Sequence, residues 1–206
     1  MTKPQTNSSE RRGPGRPREF DMDTALGRAL VVFSERGYHG ASLAELRAAM
    51  KLATGSLYKA FADKSAIFLA TLDYYIARRD RQLRERLDAQ QRGRDKLEAL
   101  LAFYAESASD SEGRRGCLVV TSATELATLD AEAAAKVRNS LRRVETLLRD
   151  LIRLGQADGS IRSDLDAEVV AGALFCVIQG LRVVGKTGRA KSEMTKVAKQ
   201  AAALFA

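Results

Sequence analysis

Apolar positions in this chain recur at spacings of three and four, and Val, Ile and Thr nowhere form alternating runs, so the pattern predicts helices and no strand. A first helix is expected from Asp21 or Asp23, either of which can cap it. Leu26, Leu30 and Phe33 share one stripe of it, and Gly37 is its stop. Ser42-Leu43-Ala44-Glu45 has the S-x-x-E order in which hydroxyl and carboxylate each satisfy an orphan amide at the other's position. It opens a short second helix with Leu43, Leu46 and Met50 on the buried side. Lys51-Leu52-Ala53 leaves room only for a tight turn. Segment 54–61 follows, with Leu57 and Phe61 one turn apart as anchors and Thr54, Gly55, Ser56, Tyr58 and Lys59 on the opposite side. Asp63 caps a fourth helix expected to reach about Gly93, and further helices are predicted over 95–109, 117–129, 131–157, 167–185 and 193–205.

The helix at 167–185 stands apart because its stretch from Val169 to Ile178 is apolar all round, which a monomer's surface does not tolerate. Glu168, Gln179 and Arg182 interrupt it where lipid would require apolar groups, so an interface between protein helices is expected rather than a membrane span. Gly172, Ala173 and Gly180 permit close helix approach.

Composition narrows the partners. Apolar residues make up 45% and charged residues 29%, which fits a folded globular chain rather than a solvated one. The net charge of +8 points toward a polyanion. Part of that charge sits in residues 1–20, a polar arm with Lys3, Arg11, Arg12, Arg16 and Arg18 against Glu10 and Glu19. All three prolines, Pro4, Pro14 and Pro17, lie in that arm. Residues 1–14 contain no apolar run of the secretory kind, so cytoplasm is the expected compartment. Cys117 and Cys176 lack metal-ligand spacing and are read as buried thiols, with neither metal nor cofactor expected. Catalysis finds no support either. The single histidine, His39, has no nucleophile pattern beside it, and no phosphate-cradling glycine loop follows a strand.

Four stretches in fixed order then carry a family resemblance: Phe33-Ser34-Glu35-Arg36-Gly37-Tyr38, Ala41-Ser42-Leu43-Ala44-Glu45-Leu46, Gly55-Ser56-Leu57-Tyr58-Lys59-Ala60-Phe61 and Asp63-Lys64-Ser65-Ala66-Ile67. Over about residues 20–75 the chain resembles the tetracycline-repressor-like (TetR) family of transcription regulators. The resemblance implies an all-α protein: a basic arm (1–20), a three-helix helix-turn-helix domain (21–66) and a helical ligand-binding and dimerisation domain (67–206). It implies a homodimer on a palindromic double-stranded operator, released by a small-molecule effector, and no enzyme. By the same resemblance Gly55, Ser56 and Tyr58 touch bases and phosphates, while Lys64 contacts a phosphate where a helix N-terminus already attracts anions. Thr54 and Lys59 belong to the same presented face, and Ser42 is placed for a phosphate contact. Arg16 and Arg18, in Pro14-Gly15-Arg16-Pro17-Arg18, resemble a minor-groove hook.

Three departures from the family pattern alter these expectations. Lys51 replaces the usual turn glycine, so the turn is expected to be reshaped. Ala53 replaces a Ser or Thr cap, leaving Thr54 as the substitute and a helix that starts one residue later. Ala60 stands where an aromatic or His is common, which removes one DNA contact. For the effector the candidates are Tyr75, Phe103, Tyr104, Cys117, Thr121, Glu125, Phe175 and Gln179, each of which ordinary core packing explains equally well. Sensing by the Cys117 thiol is a further possibility that requires exposure and a lowered pKa. The competing reading is a helical small-molecule or nucleic-acid-binding protein without operator specificity.

Overall fold

The computed structural model describes residues 21–204, which form ten α-helices and no strand. They are α1 (Met22–Gly40), α2 (Leu43–Met50), α3 (Thr54–Ala60), α4 (Lys64–Asp88), α5 (Gly93–Ser107), α6 (Asp110–Arg115), α7 (Leu118–Thr124), α8 (Ala131–Ala157), α9 (Ala167–Gly185) and α10 (Lys191–Ala203). Asp21 is the cap of α1, accepting from the amides of Asp23 and Thr24 at 3.2 Å each. Gly37 (φ 72°, ψ 178°) breaks α1 as expected, but one further turn follows it.

Two hydrophobic clusters divide the chain, and they part within α4, between Leu72 and Leu83. The first gathers α1 to α3 and the start of α4 around Phe33 and Phe68, whose rings meet edge to face at 5.1 Å. It also takes in Cys117, Leu118 and Val119 at the start of α7, and Ala133 and Val137 of α8. The first cluster is therefore completed by helices from the far half of the sequence. The second cluster packs α5, α8, α9 and α10 through Leu100, Leu148, Ile152, Leu174 and Ile178.

Three boundaries differ from the pattern, each for a local reason. α4 stops at Asp88, short of Gly93, and the Lys96 ammonium caps the carbonyl of Leu87 at 3.0 Å. The apolar spacing predicts no helix in the stretch just before Cys117, where α6 forms. It is a six-residue helix held from outside, with the Asp110 amide donating to the carbonyl of Arg189 at 3.2 Å. The helix expected over 117–129 is only α7. The Thr124 and Thr128 hydroxyls donate to the carbonyls of Thr121 and Glu125 (2.7 and 2.9 Å), competing with the backbone ladder, and the Glu125 side chain is drawn away to another element.

Candidate nucleic-acid interface and effector cavity

The capping box at the start of α2 forms in full: the Glu45 amide donates to the Ser42 hydroxyl at 3.2 Å, and the Ser42 amide donates back to the Glu45 carboxylate at 3.0 Å. The Ser42 hydroxyl also donates to that carboxylate at 2.9 Å. Its proton is thus committed within the box, which argues against the phosphate contact expected of Ser42. The turn after α2 is not reshaped. Lys51 itself adopts the left-handed conformation (φ 56°, ψ 43°), and its amide and that of Leu52 close the helix on the carbonyls of Ala48 and Arg47 at 3.2 Å. Nor does Thr54 replace the missing cap of α3. Ala53 occupies the cap position with no side-chain bond, while the Thr54 hydroxyl accepts from the Arg47 guanidinium at 3.1 Å.

Leu57 and Phe61 are buried and pin α3 to the domain, as the one-turn spacing predicts. Thr54, Gly55 and Lys59 are exposed, Ser56 is half-buried, and Tyr58 is 58% exposed, a large aromatic surface left open to solvent. Arg47 and Lys51, both exposed, adjoin this face and extend its charge. Sequence reasoning missed them because neither sits in the recognition segment. Lys64 is placed otherwise than expected. Its ammonium donates to the carbonyls of Tyr38 and Ala41 (3.0 and 3.1 Å) and lies 4.6 Å from the centre of the Tyr38 ring. Two of its three N–H donors are therefore spent tying α4 to the last turn of α1 and the residue that follows it. Arg16 and Arg18 lie outside the described residues.

A cavity of about 290 Å³ opens where α1, α4, α5, α6 and α9 converge on Cys117. Gly116 (φ 86°) turns the chain into it, at a point where a Cβ would meet Lys186 Cε at 2.4 Å. Leu30 and Ser34 bring α1 to its wall; Tyr75, Arg78, Arg79 and Gln82 come from α4, Arg115 from α6 and Arg182 from α9. The Tyr75 hydroxyl donates to Cys117 Sγ at 3.3 Å, and the Arg182 guanidinium donates to the same sulfur and to the Tyr75 oxygen (3.4 Å). Burial, with Cys117 beside it, pushes the Tyr75 phenol well above its ordinary pKa, and burial raises that of Tyr104. Both phenols stay protonated at neutral pH.

Of the effector candidates, Tyr75 and Cys117 line this cavity. Tyr104 lies beneath it, its ring 4.6 Å from the Arg182 guanidinium, and Phe103 supports Arg79 at 4.0 Å. The other four stand elsewhere. Thr121 accepts from Lys186 at 3.3 Å, Phe175 packs against the second cluster, and Gln179 is half-buried on α9. Glu125 accepts from the amide of Tyr38 at 2.9 Å and so ties the end of α7 to the last turn of α1. His39 makes a parallel link, its ring nitrogen 2.8 Å from the Thr128 hydroxyl. Cys117 is buried, whereas Cys176, expected to be buried, is exposed on α9. Among the described residues no group of His, Cys, Asp and Glu could hold a metal ion.

A helix-turn-helix set on a helical domain with its own cavity defines the class of an all-α DNA-binding regulator, and the comparisons agree. Residues 25–71 match the bacterial regulatory proteins of the tetR family, and residues 93–201 match the tetracyclin repressor-like C-terminal domain. The transcriptional repressor ComR of Escherichia coli (strain K12) is 29% identical over 188 residues, covering 89% of this chain and 88% of that protein. An uncharacterised regulator, YezE of Bacillus subtilis (strain 168), is 30% identical over 161 residues, 78% of this chain and 82% of its own. Among solved structures, a cysteine-substituted CifR, a TetR family regulator complexed with 26 base pairs of operator DNA, superposes with a TM-score of 0.80 at 35% identity, covering 93% of this chain and all of that one. The chain belongs to the TetR family and is a DNA-binding transcription regulator, not an enzyme.

Proposed function

We propose that two copies of this chain bind a palindromic operator through α3 and repress transcription until a small molecule enters the α1–α4–α9 cavity. The observation that carries this reading is a short mechanical path. Cys117 at the cavity wall begins α7, α7 ends at Glu125, and Glu125 holds the Tyr38 amide at the end of α1. Leu30 and Ser34 also put α1 directly against the cavity. An occupant that favours another position of α7 or α1 binds the DNA-competent form less well, and this differential affinity loosens the operator.

Tyr58, Lys59, Gly55, Ser56 and Thr54 are assigned to the operator face, with Arg47 and Lys51 as flanking phosphate ligands. The third N–H of Lys64 is left for phosphate, and Arg16 and Arg18 are assigned to the minor groove. The dimer is assigned to α9. Its exposed residues Val169, Ala173, Cys176, Gly180 and Val183 follow at steps of four and three, one continuous seam, with Val169 68% and Val183 55% exposed. Cytoplasm, where the operator lies, is the compartment this reading requires.

Selection of bound fragments from genomic DNA, followed by titration, tests the proposal. A regulator prefers its selected palindrome by about a thousandfold or more over random duplex. Equal affinity for both, with only a steep salt dependence, would leave the helical nucleic-acid-binding reading in its place.

A further inference from the structure

We infer that the cavity beside Cys117 takes a small organic carboxylate, an assignment that rests on the effector reading above and names its ligand class. The walls carry Arg78, Arg79, Arg115 and Arg182, and the one acidic residue facing them is Glu112. Glu112 is mostly exposed and reaches only Arg79, at 3.4 Å. Arg182 has no carboxylate within 4.0 Å among the described residues. Its bonds run through Nη1 alone, to the Tyr75 hydroxyl and the Cys117 sulfur. The rings against the two buried guanidiniums, Phe103 for Arg79 and Tyr104 for Arg182, offer a quadrupole and no charge.

Two hydrogen-bond donors are left over. Arg79 Nε and Arg182 Nε are both shut from solvent and meet no acceptor. Arginine does not shed its proton in a protein, so both groups stay cationic and incompletely paired while the cavity is empty. A neutral guest leaves that imbalance in place, and a cationic one worsens it. A carboxylate brings the missing charge, and its two oxygens match the parallel N–H donors that a guanidinium presents. Leu30 and Ala108 line the remaining wall and suit an apolar body on the acid. The volume of about 290 Å³ lies at the small end of ligand pockets, which limits that body to a short chain or a single ring.

The test uses the full chain with acetate, butyrate, benzoate and phenylacetate, each set against its primary amide, read by calorimetric titration and by release of labelled operator. At least one acid is expected to bind about tenfold or more tightly than its amide, and Arg182→Met is expected to weaken that acid by a similar factor, with Arg182→Lys between the two. A second readout needs no ligand. Because Arg182 is an under-paired buried cation, empty Arg182→Met protein is expected to melt at or above the wild-type temperature. Amides that match their acids, or no binding across the panel, would overturn the carboxylate assignment. So would an empty Arg182→Met protein that melts more than about 5 °C below wild type, since the arginine would then be a structural anchor. If an acid binds through Arg182 yet leaves operator affinity unchanged, the ligand class stands and the effector reading fails.

Discussion

Glu125 accepts the backbone amide of Tyr38 at 2.9 Å across 87 positions of sequence, and the carboxylate fills the space that a side chain at residue 37 would need. A Cβ on Gly37 would stand 2.2 Å from Glu125 Oε1, and Gly37 has φ 72° and ψ 178°, a region in effect reserved for glycine. One contact therefore both sits at the break in α1 and ties the end of α7 to its last turn.

That double duty makes the pair non-additive. Gly37→Ala is expected to destabilise by about 2–4 kcal/mol, from backbone strain and the clash together. Glu125→Ala alone should cost about 1–2 kcal/mol, the loss of a charge-assisted bond to a half-buried amide. In the double variant the clash is gone, so the sum of the single losses should exceed the measured loss by about 1 kcal/mol or more in urea unfolding. Strict additivity would mean that the two residues do not meet.

On the operator side, Tyr58 and Lys59 are exposed and support no core. Tyr58→Ala should weaken operator binding about tenfold to a hundredfold with no change in melting temperature. Lys59→Ala should lower affinity for all duplexes alike and reduce the slope of log affinity against log salt by about one.

Lys64→Ala should differ from both, since the ammonium holds the carbonyls of Tyr38 and Ala41. A loss of about 1 kcal/mol is expected, seen as a melting temperature about 2–4 °C lower, on top of any loss of DNA affinity. An unshifted melt would show that these bonds contribute nothing in solution.

Lys51→Gly should move stability the other way. Relief of the left-handed conformation outweighs the added freedom of the unfolded chain by a fraction of a kcal/mol, raising the melting temperature by about 1–3 °C. Operator affinity should fall at the same time, because a flanking charge is lost; a gain in affinity would remove Lys51 from the interface.

The seam on α9 gives the last expectation. Val169→Asp combined with Val183→Asp puts four carboxylates into a two-fold interface without touching the monomer core, so sedimentation should show monomers, and operator affinity should collapse with the second half-site. A dimer that survives both changes would place the interface on other helices.

Local signals were enough to place α2 and α3. Ser42 and Glu45 make their box within four residues, and the buried pair Leu57 and Phe61 is one helical turn, so both follow from spacing alone. The apolar circumference of α9 likewise announced a helix needing cover on more than one side, because hydrophobic periodicity is a property of the chain itself. What spacing does not encode is which distant atom a polar group meets. The sequence placed Glu125 among effector candidates and Lys64 on a phosphate, but the packing of α7 and α4 against the end of α1 brought both to the backbone around Tyr38. Arg182 read only as an interruption in an apolar run. Its meaning appeared when folding set it beside Cys117, Tyr75 and Arg79 in one cavity, since desolvation and charge balance depend on neighbours that the order of residues leaves far apart.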